Sequence, residues 1–121
     1  MKNTLRLLLP FVFAGLFQRC SEIESAPALV EPANCTTAVM SYANDIQPIV
    51  KNACLSCHYE GSGNYDYARY EVLASRIRSN RLEERLLLPL DHPLHMPQGF
   101  EMNACNLYKF RLWINQGFPQ N

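Results

Sequence analysis

The feature that most constrains this chain is a run of five residues, Cys54, Leu55, Ser56, Cys57 and His58. On a helical turn, two thiols separated by two residues fall on nearly the same side, and the next residue sets an imidazole beside them. A chain with this C-x-x-C-H must either shield three reactive or ligating groups at one point or hand them to something bound there.

Helical signals flank the motif on both sides. Ahead of it, Tyr42, Ala43, Asn44, Asp45, Ile46, Gln47, Pro48, Ile49 and Val50 predict a helix. Asp45 is expected to cap its free N–H groups, and Pro48 falls in the first turn, where its missing donor costs nothing. Ile46, Ile49 and Val50, spaced i, i+3, i+4, make its buried face. At the other end Asn103 is expected to cap a helix with Leu107, Phe110 and Ile114 on one stripe beside Trp113; Gly117 ends it and Pro119 forbids continuation. Between them, Gly61, Ser62, Gly63 and Asn64 predict a turn, with helical stretches over 67–75 and 81–88. Pro89, Pro93 and Pro97 then exclude regular structure up to Met102. With no repeat and no strand pair bearing hairpin chemistry, the expected fold is all-α with one long ordered loop. The segment 41–121 has roughly 80 residues, near the size at which a protein core alone is marginal, so something large and apolar should fill its middle.

Composition agrees with one globular domain: 48% of the residues are hydrophobic and 18% charged. Eleven basic and eleven acidic side chains cancel, which argues against nucleic acid as a partner.

The chain opens with Met1, Lys2, Asn3, Thr4, Leu5 and Arg6, then runs apolar from Leu7 to Phe17. That order, cations followed by an apolar run too short to span a bilayer, predicts a signal peptide over 1–20 and export to the periplasmic or cell-surface side of a bacterial membrane. Cys20 stands where a bacterial lipoprotein is acylated, which would tether the domain to the membrane. Leu16, Phe17, Gln18 and Arg19 depart from the small residues expected before such a cysteine, and Ala26, Pro27 and Ala28 offer a later A-x-A cleavage site. Residues 21–40, rich in Ser, Glu, Pro and Ala, read as a linker, and 41–121 as the domain.

C-x-x-C-H is the attachment pattern for c-type haem. Two thiols on one turn reach the two vinyl groups on one edge of the porphyrin, and the next residue offers imidazole to the iron. A thioredoxin-like redox pair would want a βαβ context, which is absent. A structural zinc module could recruit His92 and His95, but Cys57 to His92 is far longer than a finger loop and His92 to His95 is shorter than the usual spacing.

The segment from Tyr42 to Asn121 resembles the monohaem cytochrome c family, class I in kind. A helix enters C-x-x-C-H, a loop bears Met96 followed by Pro97 and Gly99, and a last helix carries Trp113. More narrowly, Asn44, Asp45, Ile46, Gln47, Pro48, Ile49 and Trp113, Ile114, Asn115, Gln116, Gly117 are similar to short cytochrome c domains of Bacteroidetes and Planctomycetes. The resemblance covers about two thirds of the chain and leaves out the first forty residues. It implies a helical domain wrapped around one covalent haem c on Cys54 and Cys57, His58 as proximal iron ligand and Met96 as the second, and a non-enzymatic role passing single electrons to redox partner proteins. His95, His92 and Met102 compete with Met96 for the sixth position. If Met96 does not ligate, a gas-binding, sensor or peroxidatic role opens.

Five cysteines are an odd count for an exported chain. With Cys54 and Cys57 on haem and Cys20 on lipid, Cys35 and Cys105 remain. In the family the first and last helices cross, which implies that these two cysteines pair. Closing a loop of about 70 residues would stabilise the fold by roughly 4 kcal/mol in the chain-entropy model. Tyr65, Tyr67, Tyr70, Phe100, Tyr108, Phe110 and Trp113 could wall a haem or fill an ordinary core. Arg69, Arg76, Arg78, Arg81 and Arg85 could meet haem propionates, dock an acidic partner, or face solvent.

Overall fold

The computed structural model describes residues 27–35 and 38–121. Among them lie four α-helices and no strand: α1 (Gln47–Ala53), α2 (Tyr70–Arg78), α3 (Arg81–Leu87) and α4 (Ala104–Asn115). The described residues are therefore all-α, and none of their helices is long and apolar enough to cross a membrane. The signal peptide read over 1–20, with Cys20, lies outside the described residues, as does the first part of the linker read over 21–40.

A π-helical turn, Tyr42–Ile46, leads into α1. Its cap is Ser41 and not Asp45: Ser41 Oγ accepts from the Asn44 N–H at 3.3 Å, while Asp45 Oδ2 accepts from the Ser41 N–H at 3.0 Å. The two side chains thus serve each other's backbone, as in a capping box. The helical turns start earlier than the sequence suggests because Asn121 supplies the remaining acceptors. Its Oδ1 takes the Tyr42 N–H at 2.8 Å and its carbonyl takes the Ala43 N–H at 3.0 Å. Pro48 stands at the second position of α1. In a regular register its ring would press on the carbonyl of Asn44, and the wider π turn covers those residues.

Local chemistry sets the other boundaries. α2 begins at Tyr70 and not Tyr67, because Asp66 holds the intervening residues in a turn, accepting from Ala68 N–H at 3.0 Å and Arg69 N–H at 3.4 Å. Asn80, at φ 55°, breaks α2 from α3. Asn103 caps α4 as expected, its Oδ1 accepting from the Asn106 N–H at 2.9 Å. Gly117, at φ 84°, lets the chain turn back after it.

Trp113 sits fully buried at the centre of the core. Tyr42 stacks on it at 5.6 Å, and Phe110, Tyr70 and Phe118 meet it edge-on. The indole N–H donates to the Pro119 carbonyl at 3.0 Å, so burial leaves no donor unpaired. Ile46, Val50 and Leu73 complete the packing between the first turns, α2 and α4. Burying each such aliphatic side chain stabilises the fold by about 1.5–3 kcal/mol. Lys109 and Asp45, 3.4 Å apart, close the same crossing at its surface.

The segment ahead of Ser41 is laced onto this core. Cys35 and Cys105 meet at disulfide distance, with Cα atoms 5.5 Å apart. Gln116 accepts from the Met40 N–H at 2.9 Å and donates to the Ala38 carbonyl at 3.2 Å. Arg111 is buried, pairs with Glu83 at 2.9 Å and donates to the Pro27 carbonyl at 2.6 Å.

Candidate functional site

Where α1 ends, the backbone winds around the Cys54 carbonyl, which accepts from Cys57 N–H at 3.2 Å and His58 N–H at 3.0 Å. This tight winding sets both thiols and the imidazole along one rim. They open onto a cleft of about 410 Å³ that also takes residues from α2, α3 and the proline-rich loop. That volume lies within the ~300–1,000 Å³ usual for cofactor pockets.

The two thiols differ. Cys54 packs against the core, and burial pushes its thiol up to about 11. Cys57 is exposed. Asn64, from the Gly61–Asn64 turn, donates its side-chain N–H to the Cys57 carbonyl at 3.0 Å and so holds the turn against the motif.

His58 is oriented from two sides. Its Nδ1 lies 3.0 Å from the Tyr65 carbonyl. Since a carbonyl only accepts, Nδ1–H is the donor, and in the neutral tautomer that this selects, Nε2 carries the lone pair for a ligand. The ring also lies parallel to that of Tyr67, with centroids 4.2 Å apart and planes inclined by 14°. The sequence marks Tyr65 and Tyr67 only as a haem wall or as core filling, and no local pattern marks the Tyr65 carbonyl as the partner of His58.

Of the four residues weighed against each other for a second ligand, Met96 alone lines this cleft. Its N–H donates to the Arg85 carbonyl at 3.0 Å, which ties the loop to α3. His95 is buried, donating from Nδ1 to the Leu88 carbonyl at 2.7 Å, with Nε2 3.4 Å from the Phe100 carbonyl. His92 Nδ1 accepts from the Leu94 N–H at 3.1 Å, and both histidines border a separate cavity of about 220 Å³. Met102 packs on the core. Among the described residues no three His, Cys, Asp or Glu side chains gather as a metal cage would require.

The remaining expected residues divide cleanly. Tyr65, Tyr67 and Phe100 line the cleft, with Leu82 and Pro97, whereas Tyr70, Phe110 and Trp113 are core. Tyr108 is half-buried on α4. Arg76, Arg81 and Arg85 border the cleft, and among the described residues no Asp or Glu does. Arg78 instead lies over the Phe118 ring at 5.5 Å, and Arg69 is exposed.

The described residues thus form an all-α fold with a thiol-, imidazole- and thioether-lined cleft rimmed by cations. No family model matches the chain, and it has no significant match among curated proteins or solved structures.

Proposed function

We propose that this chain is an exported single-haem c-type cytochrome, class I in kind, that carries single electrons and is not an enzyme. The observation behind this reading is that Cys54, Cys57, His58 and Met96 line one cleft, although Met96 comes from a segment remote from the motif.

The residues fit haem c. Cys54 and Cys57 would hold it through thioether bonds to its vinyl groups, and His58 Nε2 and the Met96 sulfur would ligate the iron. Tyr65, Tyr67, Leu82, Pro97 and Phe100 offer apolar walls, and Arg76, Arg81 and Arg85 offer charge to the propionates with no competing carboxylate among the described residues.

Haem bound there would supply one-electron chemistry. The chain's part is to hold both ligands in place: the Tyr65 carbonyl keeps the imidazole in one tautomer, and the bond from Met96 N–H to Arg85 fixes the loop. Two protein ligands leave no open position for a substrate, and thioether ligation favours the ferrous state. Electrons would pass to and from redox partner proteins. The basic and apolar opening of the chain motivates a periplasmic or cell-surface location, with Cys20 as a lipid tether.

The test is the ferric and ferrous absorption spectrum of protein made with a c-type maturation system. Haem retained after denaturation, with the weak far-red sulfur-to-iron band in the ferric state, is the expected result. Absence of covalent haem overturns the reading. Covalent haem without the band moves it to a ligand-binding or sensor role.

A further inference from the structure

Three side chains outside the ligand set close a circuit around His58. The imidazole touches Tyr65 through its Nδ1–H, 3.0 Å from that residue's carbonyl, and stacks face to face on Tyr67. Both tyrosines share the cleft with one residue of α2. The Arg76 guanidinium stands 4.3 Å over the Tyr65 ring. It also lines the same cleft as Tyr67. α2 is anchored through Leu73, Ala74 and Ile77, so the backbone beneath Arg76 is fixed.

The geometry points to Arg76 as a positioning residue that clamps Tyr65 and Tyr67 against His58, setting the plane of the axial imidazole and biasing the iron toward its ferrous state. This inference rests on the haem reading above. One hydrogen bond at Nδ1 fixes a tautomer but leaves the ring free to rock about that bond, and a parallel aromatic face removes the freedom. A planar guanidinium can lie flat on one tyrosine while pointing an N–H at another, which a lysine ammonium cannot do. Oxidised haem carries one more positive charge than reduced haem, so a fixed cation lining the same cleft disfavours it. Arg78, on the same helix but over Phe118, supplies the control.

The experiment uses the full chain, with and without haem, as wild type, Arg76→Met, Arg76→Lys and Arg78→Met. Three quantities are read: the midpoint potential; the order of the haem-methyl NMR shifts in the ferric state, which reports the imidazole plane; and, in the haem-free chain, the upfield displacement of the His58 ring protons by Tyr67. Circular dichroism checks that each variant keeps its helix content. Arg76→Met is expected to lower the potential, reorder the methyl shifts and shrink the His58 displacement. Arg76→Lys should keep most of the potential but lose the wild-type methyl order, and Arg78→Met should leave methyl order and displacement unchanged. A folded Arg76→Met protein, or a folded Arg76→Lys protein should the first misfold, with wild-type methyl order and wild-type displacement overturns the inference while leaving the haem reading intact. A wild-type chain that takes up no covalent haem sinks the haem reading and the redox bias together, and the His58 displacement in the haem-free chain then decides the clamp alone.

Discussion

The Met96 N–H donates to the Arg85 carbonyl at 3.0 Å, so the thioether reaches the cleft from a loop held by its backbone and not by the sulfur itself. Met96→Ala therefore removes the proposed second ligand without releasing the loop. Covalent haem is expected to survive in this variant, the far-red ferric band to vanish, and added imidazole to bind the ferric iron, all read by absorption titration. A variant that keeps the band would place the second ligand elsewhere.

Cys54 and Cys57 should react at different rates in the haem-free chain. Thiolate is the nucleophile, and burial raises the Cys54 thiol to about 11 while Cys57 is exposed. Alkylation at mildly alkaline pH should label Cys57 first, as peptide mass mapping will show. The raised value has a linkage consequence with a definite sign. Below the ordinary value of 9.0 the thiol is neutral in both folded and unfolded chains and its contribution is intact; between 9.0 and about 11 the unfolded chain ionises first and the haem-free fold loses stability. Urea midpoints measured across that window should fall for wild type and stay flatter for Cys54→Ala.

Cys35 and Cys105 close a loop of 70 residues. Replacing both with serine is expected to cost about 2–4 kcal/mol in chemical denaturation, less whatever a haem cross-link between Cys54 and Cys57 already constrains in the unfolded chain. Alkylation followed by mass measurement should find two newly reactive thiols after reduction.

Trp113 carries packing and a hydrogen bond together. Trp113→Phe keeps an aromatic ring but leaves the Pro119 carbonyl without its donor and opens a gap, and about 1–3 kcal/mol of stability should be lost. Trp113→Ala should cost about 3–5 kcal/mol, measured by the same denaturation curves. A loss below 1 kcal/mol for both would mean that the aromatic cluster is not the stabilising centre.

What the sequence made legible was local. Asn103 capping α4, the bounds of α3 and the stop at Gly117 each follow from a residue acting on its own neighbourhood. The start of the first helical segment was misplaced because its decisive acceptors belong to Asn121. Part of the stretch read as a linker is held down by Arg111, Gln116 and Cys105, all distant in sequence. At the site, the motif could be read as residue types at a spacing, and Met96 was singled out by the resemblance to monohaem cytochromes c. The exclusion of His95 could not, since it depends on two carbonyls that only the folded loop brings to the ring. Nor could the Tyr65 carbonyl, since a backbone oxygen leaves no mark in a sequence.

The contact between Tyr42 and Asn121 has a bearing on the order in which the protein is built. A chain delivered from its N-terminus presents Tyr42 long before Asn121, 79 positions later. Until that residue arrives, the opening turn of the first helical segment lacks the acceptors that satisfy it, and the motif beyond that turn rides on an unfinished support. The support beneath the C-x-x-C-H is thus completed only when Asn121 reaches Tyr42 and Ala43.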